Sequence, residues 1–434
     1  MKKFICLALA LLLTLAVFGG CAKKESQPNP SGTSQEYITA DDMLTLWTAD
    51  AAARKALVEY LDAISDESNA DFIPAKDRIA VFDLDGTLFC ETDPNYFDYT
   101  LLVYRVLEDP DYKDKASDFE KEVANKIVQQ NETGAKFDGL EVDHGKAIAS
   151  SFAGMTIKEF NEYIQEFKKQ PMPSYTGMLR GDGWYLPMLE VVDCLKLYDF
   201  TVYVVSGTDR FIVRGIADHS PLNIPPRQII GSDETVVTKD QGDEDGLDYV
   251  YDDNDELVLG GDFIVKNLKM NKVSIIVQEI GQQPVLSFGN STGDASMAEY
   301  VTSGNPYRSL AFMLCCDDTE RENGSEEKAQ KMADLCEEYD WIPVSMKNDW
   351  TTIYGEDVVR KDIEPIDEEL TGEEQIDEML SRLDSFFNAE IPENPKDYAQ
   401  KMVEAYENGE LTEDDIREAV VTLLRALGAS EEEE

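Results

Sequence analysis

Residues 78–89 read RIAVFDLDGTLF. Arg78 to Phe82 form a short apolar run bounded by a turn signal, the pattern of a buried strand. Two acids follow at a spacing of two, Asp83 and Asp85, and then Gly86 and Thr87. Carboxylates that close together repel each other, and at the end of a hydrophobic strand they also lose hydration. The stretch is therefore either a polar turn or a reactive site carried to the edge of a sheet.

The surrounding pattern places that strand. Apolar runs of strand length recur at TVYVV (201–205), RQIIG (227–231), VLSF (285–288), YRSLAFML (307–314) and WIPVSM (341–346). Helical patterns lie between them: 187–198, with Pro187 near the first turn, Arg210 to Ala217, and KVSIIVQEIG from Lys272. Strands alternating with helices predict an α/β fold, a doubly wound, Rossmann-like parallel sheet. A stripe of Leu44, Trp47, Ala51, Leu57 and Leu61 predicts one helix over 40–65. Residues 90–180 show helical periodicity and no strand-like run, so they form an inserted helical block. Residues 235–259 read as a hairpin excursion around DDND, a solvated turn without the spacing of a calcium loop.

The chain has 434 residues, room for two or three domains, and carries 88 acids against 39 bases, a net charge of −49. That charge repels nucleic acid and anionic membrane surfaces, so no nucleic-acid partner is expected. An anionic substrate must then meet a local cluster of donors or a cation. The only histidines, His144 and His219, sit in no motif. This argues against a histidine-rich metal centre and a histidine nucleophile.

The N-terminus is a targeting segment. Lys2 and Lys3 precede an apolar run over 4–17, too short for a comfortable membrane span, and FGGCAKKE follows with small residues before Cys21. This resembles a bacterial lipoprotein signal (1–21), although Phe18 stands where a leucine-type residue is usual; an ordinary secretory signal is the alternative. The resemblance implies diacylation of Cys21 and a lipid-anchored protein outside the cytoplasmic membrane. Residues 22–39 form a polar tether. Cys90, Cys194, Cys315, Cys316 and Cys336 show no disulfide framework, and Cys315 and Cys316 read as buried thiols. Residues 363–434 form an acidic region with two helical patterns, one opened by a capping box at Thr412 and Asp415.

Four groups carry candidate chemistry, each at a strand end or helix start, where open parallel sheets bind ligands. Asp83 offers a carboxylate able to attack phosphorus, and Asp85 is placed to exchange a proton with the leaving oxygen and then with water. Gly86 permits a tight turn whose N–H groups face phosphate oxygens, and Thr87 adds a hydroxyl. Ser206 and Gly207 offer a small donor after the second strand. Lys272 sits at the wrong end of a helix for its dipole, which points to a nearby anion; Lys266 and Lys269 are its competitors. Asn290 and Asp294 in GNSTGD offer oxygen ligands that complete a hard-cation site with Asp83.

Over about residues 77–346 this ordered set resembles the haloacid dehalogenase superfamily. The resemblance implies Asp83 as nucleophile and Asp85 as general acid/base. It implies Mg²⁺ at Asp83, Asp85, through its main-chain carbonyl, Asn290 and Asp294, and phosphate bound by Gly86, Thr87, Ser206, Gly207 and Lys272. It also divides the chain into a catalytic core (40–89 and 181–362) and a helical cap (90–180) like that of the phosphoserine phosphatase branch. The family usually carries aspartate where this chain has Asn290, so the implied metal site has one negative charge fewer. The expectation is a Mg²⁺-dependent phosphomonoesterase acting on a small phosphorylated metabolite. The alternatives are a lipid-anchored binding protein that has kept the fold, and a phosphonate hydrolase, which would need a cap lysine such as Lys146. Tyr96, Phe97, Tyr99 and Tyr104 either hold a choline-like head group or form cap core. Glu91 and Asp93 either meet an amine on the substrate or are solvated acids.

Overall fold

The computed structural model describes residues 38–361, apart from residue 243. The chain divides into residues 1–39 and a unit that starts at Ala40. The expected signal, Cys21, most of the tether, the acidic region 363–434 and its capping box lie outside the described residues.

In chain order the elements are α1 (Ala40–Met43), α2 (Ala52–Ser65), β1 (Ile79–Phe82), α3 (Phe97–Val103), α4 (Asp118–Thr133), α5 (Leu140–Ser151), α6 (Ile157–Phe167), β2 (Tyr175–Thr176), α7 (Leu186–Leu197), β3 (Thr201–Asp209), α8 (Arg210–Ala217), β4 (Ile229–Thr238), β5 (Leu257–Val265), α9 (Met270–Ile275), β6 (Leu286–Gly289), α10 (Ala295–Thr302), β7 (Leu310–Cys315), α11 (Glu326–Tyr339), β8 (Ile342–Ser345), α12 (Met346–Asp349) and β9 (Val359–Arg360).

Seven strands form one sheet in the order β5-β4-β3-β1-β6-β7-β8. All neighbours are parallel except β4 and β5. The expected parallel sheet is thus present, and its one antiparallel pair lies at the hairpin expected around residues 235–259. There β4 and β5 form the two arms of a hairpin, joined through residues 239–256. β1 lies at the centre with all four residues buried. Ala80 and Phe82 join one hydrophobic cluster and Val81 another, so both faces of the strand are covered. Phe82, Phe288 and Phe312 stack across three adjacent strands, with ring centroids 4.2 and 4.9 Å apart.

Three boundaries differ from expectation. The helix over 40–65 is two helices, because the segment between them is taken up by residues 349–351. Thr48 N donates to Asp349 O at 2.7 Å, Thr351 N donates to Leu46 O at 2.8 Å, and Trp47 bridges Trp350. The apolar stripe was nonetheless a core stripe, since all five of its residues are buried. The strand at 201–205 runs on to Asp209, and the one at 227–231 extends as the first arm of the hairpin. Cys316 is only half-buried, while Cys315 is buried as expected.

The block after β1 is helical, and α4 and α6 open with capping boxes at Ser117/Glu120 and Thr156/Glu159. Near its end β2 pairs with β9, a two-residue ladder with no strand signal of its own. The block packs on β5. Gly154 N donates to Leu259 O at 2.8 Å, Leu259 N donates to Met155 O at 2.9 Å, and a Cβ at Gly145 would come 2.5 Å from the Phe263 ring.

A cavity of about 10 Å³ at this seam is lined by Asp98, His144, Asp209, Glu234 and Lys266 among others. It has room for about one water, not a substrate. Both carboxylate oxygens of Glu234 are buried without a partner. Burial, then the charges of Asp209 and Asp233, push this acid from 4.5 up to about 9. Between those values the folded chain binds a proton that the unfolded chain has lost, so stability falls as pH rises through that window. Glu234→Gln cannot ionise. Its melting temperature is expected to exceed the parent's by several degrees more at pH 8 than at pH 5, measured by thermal melts. An equal difference at both pH values would remove Glu234 as the source.

Candidate active site

The site is built at the carboxyl end of the central strand. Asp83 N donates to Phe288 O at 2.9 Å, so β1 is still tied to β6 where the first acid emerges. The chain then turns on itself: Gly86 N donates to Phe89 O at 2.7 Å, and Leu88 N donates to Leu84 O at 2.7 Å. Gly86 takes φ +71°, and a Cβ there would lie 1.9 Å from Asn290 Nδ2. Only glycine satisfies both the left-handed backbone and the close approach of the second loop.

Lys272 stands in the first turn of α9, fully buried. Its ammonium donates to Asp83 Oδ1 at 2.5 Å and to Asp294 Oδ1 at 2.6 Å. Of the three candidate lysines, this one reaches the strand end. Lys266 lines the seam cavity, and Lys269, at φ +54°, ties its backbone to Gly293 O at 2.9 Å. Burial alone would lower the Lys272 pKa, but Asp294 and Asp83 outweigh it and hold the amine above its ordinary value. Burial and the neighbouring Asp294 push Asp83 up to about 7 against the pull of Lys272. Burial, then Asp98 and Asp83, push Asp85 well above the usual carboxylate range.

The two acids of the opening stretch are held differently. Asp85 Oδ2 accepts from Thr208 Oγ1 at 2.8 Å, while its Oδ1 is buried without a partner. Ser206 is buried, and its Oγ accepts from Thr208 N at 3.0 Å, which leaves the hydroxyl hydrogen to be donated elsewhere. Its carbonyl accepts from Asn267 Nδ2 at 3.0 Å. Gly207 makes room for Leu268, whose Cδ2 would lie 2.6 Å from a Cβ there. Thr87 Oγ1 is buried and unpartnered. The structure thus brings Asp83, Asp85, Gly86, Lys272, Asn290 and Asp294 into one contact network, with Ser206 and Gly207 joined to it through Thr208.

The GNSTGD loop divides its labour. Asp294 Oδ2 accepts from Asn290 N at 3.1 Å, Ser291 N at 3.1 Å and Ser291 Oγ at 3.2 Å. With Oδ1 on Lys272, both oxygens of Asp294 serve the chain's own donors. Asn290 Nδ2 donates to Glu91 Oε1 at 2.9 Å, and among the described residues no donor reaches Asn290 Oδ1. Burial pushes Glu91 up to about 7.

Among the described residues no three His, Cys, Asp or Glu side chains are disposed to hold a metal ion. The donors that remain are mixed oxygens: the Asp83 carboxylate, the Asn290 amide and the main-chain carbonyl of Asp85. That set is hard and small, and it fits Mg²⁺ better than a soft or nitrogen-seeking metal.

Thr208, Asn267 and Ser232 were not singled out from sequence. Ser232 Oγ donates to Gly207 O at 2.6 Å and accepts from Asn267 N at 2.9 Å, bracing the turn after Ser206. For Thr208 the only signal was its place directly after Ser206-Gly207. Of the four aromatics, Phe97 packs on Phe89 and Phe167, Tyr99 on His144 and Tyr104 on Phe167, as cap core. Tyr96 lies near the site, where the charge of Glu91 and its burial push its phenol well up. Asp93 is framework: it accepts from Ser174 N at 2.9 Å and faces Arg180 at 3.8 Å.

No family model matches the chain, and no curated protein matches it. Solved structures do. The chain is similar to a conserved protein of unknown function from Anaerococcus prevotii, at 13% identity over 68% of this chain and 91% of that one, TM-score 0.42. It is similar to cytosolic 5'-nucleotidase IIIB bound to cytidine, at 10% identity over 72% and 93%, TM-score 0.42. It is also similar to a phosphoserine phosphohydrolase-like protein from Francisella tularensis, at 17% identity over 59% and 92%, TM-score 0.32. These superpositions are loose, so the chemistry of the site is read from its own residues.

Lys272→Met would leave Asp83 and Asp294 buried together without a cation. A loss of about 3–5 kcal/mol of folding stability is expected, measured by urea denaturation. A loss below about 1 kcal/mol would show that the two acids are held by something else.

Proposed function

We propose that the protein is a phosphomonoesterase that hydrolyses a small organic phosphate through an acyl phosphate on Asp83. The observation that carries this is the Lys272 ammonium, buried 2.5 Å from Asp83 and 2.6 Å from Asp294, at the end of a central parallel strand and beside Asp85. An Asp83 oxygen attacks phosphorus, and the P–O bond to the substrate's alcohol breaks. Asp85 gives a proton to the departing oxygen. Asp85 then takes a proton from water, which attacks the acyl phosphate and frees Asp83 and inorganic phosphate. Lys272, Ser206, Thr87 and the turn N–H groups at Gly86 meet the phosphate oxygens. Mg²⁺ held by Asp83, Asn290 and the Asp85 carbonyl would reduce the repulsion between carboxylate and phosphate dianion. On this reading Asp294 is the counter-ion of Lys272 rather than a metal ligand.

Glu91 and Tyr96 beside Asp85 suit an alcohol bearing an ammonium group better than an acidic one. The protein acts outside the cytoplasmic membrane, anchored by a lipid on Cys21. Fatty-acid labelling that is lost in Cys21→Ser tests the anchor.

The function is tested by phosphate release from p-nitrophenyl phosphate and a panel of amine-bearing and carboxylate-bearing phosphomonoesters, with Mg²⁺ and with EDTA. Turnover is expected to need the metal, to favour amine-bearing esters and to vanish in Asp83→Asn. A folded protein that releases no phosphate from any ester would replace this reading with that of a binding protein.

A further inference from the structure

We propose that Thr208 is a positioning residue that decides which oxygen of Asp85 exchanges the proton with the leaving group; this rests on the phosphatase reading of the site. Thr208 and Asp85 are both buried, at 4% and 6% exposure. The Thr208 hydroxyl donates to Asp85 Oδ2 at 2.8 Å, and no other bond to that hydroxyl is present among the described residues. Asp85 Oδ1 is buried with no partner in the chain.

Consider the neutral form of Asp85, the form that acts as an acid. A proton on Oδ2 would make that oxygen a poor acceptor for the Thr208 hydroxyl. The threonine's own hydrogen would then be buried with only a weakened acceptor, which is unfavourable. A proton on Oδ1 leaves the Thr208 bond intact. The threonine therefore reserves Oδ2 for itself and leaves Oδ1 as the oxygen that gives up the proton and later receives one.

Thr208 is a fixed donor for this task. Its N–H is tied to Ser206 Oγ at 3.0 Å. The next residue, Asp209, pairs with Ser232 in the sheet and caps α8 by accepting from Phe211 N at 2.8 Å and Ile212 N at 3.2 Å. The backbone is thus held on both sides of Thr208, and its β-branched side chain has few rotamers. Removing the hydroxyl frees the Asp85 carboxyl to turn and to carry its proton on either oxygen.

The signature of such a residue is dependence on the leaving group. An alkoxide is a poor leaving group and needs the proton as the P–O bond breaks, whereas p-nitrophenolate departs without one. kcat/KM covers the steps up to loss of the alcohol, so it is insensitive to the later attack of water. Thr208→Val keeps the shape and removes the hydroxyl; Thr208→Ser keeps the hydroxyl. The experiment compares kcat/KM for an alkyl phosphate and for p-nitrophenyl phosphate in the parent and both variants, with thermal melts of each. The expected result is a loss of about 10- to 100-fold in Thr208→Val on the alkyl ester, less than about threefold on p-nitrophenyl phosphate, and near-parent rates on both in Thr208→Ser. Equal losses on the two esters, no loss on either, or failure of serine to restore the alkyl rate would each overturn the proposal while leaving the phosphatase reading in place. A parent protein that hydrolyses neither ester would overturn both.

Discussion

The constraint on which this site depends is the burial of a single ammonium between two carboxylates. Asp83 ends the central strand, Asp294 ends the loop after its neighbour, and Lys272 comes from a third segment. Without the lysine, two like charges would share a dry site; without the acids, a cation would be stranded in it. The position is poor for a lysine by every local criterion, since the first turn of a helix repels positive charge. It is tolerated because the sheet delivers both acids to the same spot. The geometry of the strand ends, the entry of α9 and the course of the GNSTGD loop are thus one problem with one solution.

The amide at 290 is explained by its neighbour. Asn290 donates to Glu91, which belongs to the segment just beyond the first strand's turn. An aspartate at 290 would set two carboxylates face to face where Gly86 already brings the loops into tight contact. The acid at this contact is Glu91 of the first loop, and the amide at 290 is what lets the two loops pack closely around it. Asp294 then keeps the role that needs a full charge, holding the lysine and three donors of its own loop.

What was legible in the sequence was what is local. A buried strand, two acids and a glycine are adjacent in DLDGT, and the turn they make needs little help from elsewhere. The parallel sheet followed from the alternation of strands with helices, whereas the order of its strands did not. What was hidden depends on contacts between distant segments. Thr208 meets Asp85 across 123 residues, and only its place directly after Ser206-Gly207 hints at it. Trp47 carries the right periodicity for a helix, yet its segment bonds to residues near 350, and tertiary pairing overrides local propensity. The choice among Lys266, Lys269 and Lys272 turned on which stem reaches the strand end, a matter of three-dimensional reach rather than of spacing.

The join between the helical block and β5 bears on how the site is entered. Main-chain bonds run from Gly154 and Met155 to Leu259, and Thr156 bridges Val258. The block is therefore not a loose cover resting on the sheet by side chains alone. A hinge placed between block and sheet would have to break those bonds in a seam that holds space for about one water. A hinge placed on the far side of the β4–β5 hairpin keeps them. The helices and the hairpin are thus joined main chain to main chain, and the sheet's antiparallel edge belongs as much to the block as to the sheet.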